Sequence, residues 1–173
     1  IIGFALWKIL PPFQTHATMS YPKLLQSLAH LWTEHPSLRH AAIAQAFLAV
    51  AFSAFWSSLS LILHQRYGLG SDVAGAFGLL GAVGALMARY AGSLADRHGP
   101  ARVTKLGSVI LILSFAIMCM VPALSSVSAQ LAILAIGTIG FDLGVQASLV
   151  SHQTIVYQIA PEARSRLNSV FFT

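Results

Sequence analysis

AAIAQAFLAVAFSAFWSSLSLIL, residues 41–63, contains no Asp, Glu, Lys or Arg. A bilayer core needs about 20 consecutive apolar residues in a helix, and this stretch is long enough. Three more follow. Residues 73–95 qualify with Arg89 near the end, where its guanidinium can reach the headgroups. Residues 106–124 are uncharged and carry Pro122 near their end, where a freed carbonyl is easily hydrated. Residues 131–150 are long enough but include Asp142 and Gln146. Runs this long and this poor in charge are not strands, and an open sheet in lipid would leave its edges unpaired. The expected fold is an all-α membrane protein, a transmembrane helix bundle.

Composition points the same way. Charged residues make up 9% of the 173 and apolar ones 56%, whereas ordinary soluble chains carry about a quarter charged. A soluble domain and a disordered chain are both disfavoured. The net charge of +5 comes from basic residues scattered between apolar blocks, so no nucleic-acid partner is expected. The partner is the lipid bilayer. Cys119 is the single cysteine, so the chain has no internal disulfide.

Lys and Arg set the orientation. Lys8, Lys23, Arg39, Arg89, Arg97, Arg102, Lys105, Arg164 and Arg166 fall on one side of the spans, against Arg66 alone on the other. The positive-inside rule makes the first side cytoplasmic. Residues 8–40 then form a cytoplasmic linker, and 151–169 a cytoplasmic link. Residues 1–7 read as the end of a preceding span and 170–173 as the start of a further one, so both ends look cut. Within the linker, Leu24, Leu25, Leu28, Leu31 and Trp32 recur at helical spacing between Pro22 and Pro36. This predicts an amphipathic helix over 22–35, lying on the membrane surface or packed on a partner.

The link after the second span reads GSLADRHGPAR, residues 92–102. Gly99 allows a backbone conformation closed to other residues, and Gly92 lets helices approach. Asp96 can accept from a neighbouring helix N-terminus. Arg97 and Arg102 hold the turn at an anionic surface. This spacing of Gly92, Asp96, Arg97 and Gly99 resembles the cytoplasmic loop motif of the major facilitator superfamily, which recurs after the second and eighth of twelve spans. The basic residues that follow in the family are replaced here by Pro100 and Ala101, with Arg102 and Lys105 slightly later. That departure fits the second-half copy. The tail YQIAPEARSRLN, residues 157–168, resembles the link between spans ten and eleven in bacterial drug-efflux-like members.

The resemblance implies an incomplete C-terminal half of a twelve-span fold. It also implies a multi-pass protein of the bacterial inner membrane, whose missing N-terminal half is a further partner. The implied activity is alternating-access transport of a small organic solute such as a drug, sugar or nucleoside, most often proton-coupled efflux. Asp96 and Arg97 would steady the closed cytoplasmic side, and Asp142 and Gln146 would line the cavity. A single half has nothing to alternate against, so the truncated chain is not expected to transport alone. The rival reading is a non-transporting membrane scaffold or interaction subunit.

Asp142 is the residue that asks most for a function, because an intramembrane carboxylate is costly and usually faces a cavity or a partner. At about 100° per residue, Asp142, Gln146, Leu149, Gln153 and Tyr157 share a narrow arc, which suggests a cavity-facing stripe. Asp142 is also a candidate proton carrier. Support by a neighbouring span, or a position nearer an interface, remain open for it. In the first span Gln45, Phe52, Trp56 and Ser60 fall near one face, as a pocket wall or as lipid-facing aromatics. Glycines at 75, 78, 81 and 84, and at 137, 140 and 144, predict close helix packing.

Enzyme chemistry finds no footing. His30, His35 and His40 are five apart and diverge on a helix, so no metal site is expected. Ser148, Ser151 and His152 share one helix, which does not make a protease pair. No phosphate-cradling loop occurs, and no cofactor is expected.

Overall fold

The computed structural model describes residues 20–159 and 164–172. The expected span end at 1–7, and the linker as far as residue 19, lie outside the described residues. Six α-helices follow in order: α1 Tyr21–Glu34, α2 Pro36–Tyr67, α3 Ser71–His98, α4 Pro100–Met118, α5 Val127–Ile159 and α6 Arg164–Phe172. A short 3₁₀ turn, Val121–Ala123, carries Pro122 between α4 and α5.

Proline and glycine set the breaks. α1 ends because His35 precedes Pro36, whose ring disfavours helical backbone there; His35 is extended at φ −110° and ψ 93°. Pro36 then opens α2, where its missing N–H costs nothing. Arg39 donates from Nη1 to the carbonyls of Trp32 at 3.0 Å and Thr33 at 2.9 Å. Those last-turn carbonyls have no partner within α1, so one side chain ties α1 to α2. At the far end of α2, Gly68 adopts φ +64°. Its N–H reaches the His64 carbonyl at 3.0 Å, and Leu69 N–H reaches Leu63 at 3.0 Å, closing the helix C-terminus.

The helices outrun the apolar stretches. α2 begins at Pro36, within the expected linker, and α5 continues through Ser151–Ile159, within the expected cytoplasmic link. Hydropathy marks where lipid begins and ends, whereas a helix continues until a breaker interrupts its hydrogen bonds. In α5 no proline or glycine intervenes between Val145 and Ile159.

Helices α2, α3 and α5, and the segment Pro100–Ala123 containing α4, are long and apolar enough to cross a membrane. Their outer faces suit lipid: Phe47, Leu79, Leu86 and Ile112 are 67% to 73% exposed. Such a surface would drive association in water. α5 is the central element, packing on α2, α3, α4 and α6. Glycine allows this. A Cβ on Gly107 of α4 would meet the Gly144 carbonyl at 2.9 Å, and one on Gly144 would meet the Gly107 carbonyl at 2.8 Å. Gly81 and Gly84 of α3 sit equally close to Asp142. Gly75 and Gly78 face open space, so their expected packing role is not met within the described residues.

Candidate functional site

Asp142 lies at a junction of three helices. α5 carries it, the glycine face of α3 closes over it, and the Trp56 indole of α2 stands beside it. A Cβ on Gly81 would lie 2.7 Å from Asp142 Oδ2 and 2.8 Å from Trp56 Cζ2. A Cβ on Gly84 would lie 2.7 Å from the Asp142 Cβ. Any larger side chain at either glycine would displace the carboxylate or the helix. Asp142 is 4% exposed.

The indole interacts with the carboxylate, yet neither Trp56 Nε1 nor Asp142 Oδ2 closes a hydrogen bond of good geometry. Among the described residues the ion pair is His30 with Glu34 at 3.1 Å, so Asp142 has no counter-ion there. Burying a carboxylate without one is costly.

Aromatic rings wall the junction on the side away from the basic loop. Phe141, fully buried, packs tilted against Phe55 at 4.2 Å between centroids and meets Phe115 edge-on at 5.6 Å. Phe52 stacks on Phe141 at 6.2 Å and leans on Trp56 at 6.3 Å. Of the face expected in the first span, Phe52 and Trp56 lie against this junction. Ser60 is exposed. Gln45 lies three turns away beside Trp32 and Phe171, its Oε1 buried and unpaired.

The polar stripe expected along α5 does not act as one surface. Asp142 is buried against α2 and α3. Gln146 is half-buried in a groove of about 430 Å³ between α3 and α4, which Arg97 also lines. Gln153 is half-buried further along α5. Tyr157 donates to Asn168 Oδ1 at 2.9 Å, joining α5 to α6.

The Asp96 loop is a one-residue turn. Gly99, at φ +86° and ψ 141°, is the sole residue between α3 and α4; its N–H reaches the Ala95 carbonyl at 2.9 Å. Asp96, Arg97 and Arg102 are exposed. No side chain caps the start of α4, so Asp96 does not accept from that N-terminus as expected: the turn is too short for its carboxylate to come round. Gly92 approaches Val150 at an ordinary 3.5 Å, so the tight contacts expected of it belong to Gly81, Gly84, Gly107 and Gly144.

A second polar cluster escaped sequence reasoning. Thr104 and Ser108 of α4 and Ser148 and His152 of α5 line a cavity of about 400 Å³ beside α2. Thr104 Oγ1, Ser148 Oγ and His152 Nδ1 are buried without partners. The signal in the sequence is the pair Ser148 and His152, one turn apart on one helix.

Comparison with known proteins agrees with this architecture. The family model described as "Major Facilitator Superfamily" matches residues 1–173. The Escherichia coli O157:H7 protein described as "Uncharacterized transporter YgaY" is 33% identical over 174 aligned positions, covering 100% of this chain and 43% of that protein. Its counterpart in Escherichia coli strain K12 matches to the same extent. A Streptomyces coelicolor protein described as "Probable transporter SCO4007" is 34% identical over 116 positions, covering 66% of this chain and 27% of its own. No solved structure matches the chain. The family model matches this chain along its whole length, and the chain belongs to the major facilitator superfamily.

Proposed function

We propose that these spans form part of the C-terminal half of a secondary transporter in a bacterial inner membrane, exporting a small organic solute in exchange for protons. The observation that carries the reading is Asp142, a carboxylate 4% exposed, without a counter-ion among the described residues and with Oδ2 unpaired there. A group so placed gains by taking a proton or by meeting a donor on a solute. Trp56 and Phe52 give a solute an aromatic face beside it. Gln146, one turn along α5 toward the basic side, is the next polar group on that helix, while Gln153 and Gln45 lie apart from the junction.

That side is cytoplasmic by the distribution of Lys and Arg. Gly92, Asp96, Arg97, Gly99 and Arg102 form the turn that steadies its closed state. Alternation needs two bodies moving around a shared site. The described spans supply one of them, so turnover requires complementary spans and this chain does not transport alone.

Infrared difference spectroscopy of the reconstituted protein between acid and alkaline pH tests the proton role without knowledge of the solute. A protonated-carboxyl band that disappears in Asp142→Asn is the expected result. An unchanged band in that variant removes Asp142 as the proton site. For the cavity, cysteine at position 142, in a Cys119-free protein that includes the complementary spans, should react with a membrane-impermeant thiol reagent. Failure to label in every conformational state removes the cavity role.

A further inference from the structure

We propose that the groove between α3 and α4 seats an anionic phospholipid, with its phosphate on Arg97 and its acyl chains against Leu94, Leu106 and Ile110. The groove holds about 430 Å³, and Gln146 forms part of its α5 floor. Its walls are apolar and open: Tyr90 is 57% exposed, Leu106 48% and Leu94 37%. It is amphipathic along its length. Arg97 and His98 line it at the last turn of α3, and Ile110 and Leu143 line it further in.

Charge gathers at the same end. Arg102 stands one turn before Leu106 on α4, on nearly the same face. Lys105 follows it, and Arg89 lies over the Tyr90 ring at 5.0 Å. Against these four cations Asp96 is the single carboxylate between residues 73 and 141. A phospholipid presents the matching order, a phosphate at the interface and hydrocarbon below it. The local excess of cations selects an anionic headgroup over a zwitterionic one. A soluble phosphate would leave the apolar walls unused. The site requires no transport cycle, so its failure and the failure of the transport reading are separate results.

Native mass spectrometry of the purified chain provides the test, with phosphatidylglycerol, phosphatidylcholine of the same acyl chains, and glycerol 3-phosphate as probes. Phosphatidylglycerol should be retained preferentially, and Arg97→Gln should weaken it about fivefold, the effect of one interfacial cation. Leu106→Glu, at an exposed position, should weaken it at least as much by repulsion, while Arg97→Lys should stay within about twofold. Equal retention of the two lipids, or an unaffected Leu106→Glu variant, overturns the proposal. Glycerol 3-phosphate held as firmly as the lipid would also overturn it, in favour of a soluble-phosphate site.

Discussion

Replacing Gly144 by alanine tests the packing on which the whole arrangement rests. The new Cβ would lie 2.8 Å from the Gly107 carbonyl oxygen and 2.6 Å from Leu111 Cγ, where ordinary contact begins at 3.4 Å. Leu111 can rotate away, but the carbonyl belongs to the α4 backbone. Relief therefore needs α4 and α5 to separate by 3.4 − 2.8 = 0.6 Å at this point. Overpacking of this kind costs about 1–3 kcal/mol. Alanine also gains about 1 kcal/mol of helix propensity over glycine, which has to be removed from the comparison. Gly78→Ala does so, because nothing lies within 4 Å of its Cβ and only the propensity gain is left. Unfolding in mixed dodecyl sulfate micelles, followed by circular dichroism, should rank Gly144→Ala below Gly78→Ala by about 1–3 kcal/mol. Gly107→Ala should behave alike, and the double variant should cost less than the sum by at least about 0.5 kcal/mol, since one separation relieves both clashes. Gly144→Ala and Gly78→Ala within about 0.5 kcal/mol of each other would refute the packing argument.

Two further outcomes check other parts of the structure. Gly99→Ala should destabilise by about 1–3 kcal/mol in the same assay through backbone strain alone, because the position needs φ +86° and ψ 141° while nothing lies within 4 Å of the added Cβ; unchanged stability would mean the turn adopts another conformation. Cys119 is exposed at the end of α4, on the side opposite the Gly99 turn, so a membrane-impermeant maleimide should label it in right-side-out vesicles, and labelling confined to inverted vesicles would reverse the proposed orientation.

The spans were legible in the sequence because lipid all but excludes charge from about 20 successive positions, and 41–63 and 106–124 carry none. Their ends were less legible. Ser151–Ile159 is polar enough to read as a link, yet it contains nothing that stops a helix, and α5 runs through it. The arc of Asp142, Gln146 and Gln153 shows a different limit. A helical wheel preserves angle and discards depth, so residues about 16 Å apart along the axis looked like neighbours. Glycine spacing marked α3 as a packing surface, but could not tell Gly81 and Gly84, which meet α5, from Gly75 and Gly78, which face open space. That choice depends on the relative register of two helices, which no single helix records. The register of α2 on α5 likewise places Trp56 against Asp142, a contact that neither helix records alone.

That contact links chemistry to mechanics. Among the described residues no counter-ion fixes the charge of Asp142, and its carboxylate lies in the gap that two glycines leave open. On the transport reading, a proton or solute arriving there changes the interaction at the closest approach of α3 and α5. α3 is continuous from that point to Gly99, so a shift at Asp142 is carried by a rigid helix to the turn bearing Asp96 and Arg97. A loop of several residues would absorb such a shift, whereas a link of one residue passes it on to α4. The short turn and the glycine gap are then two ends of one lever.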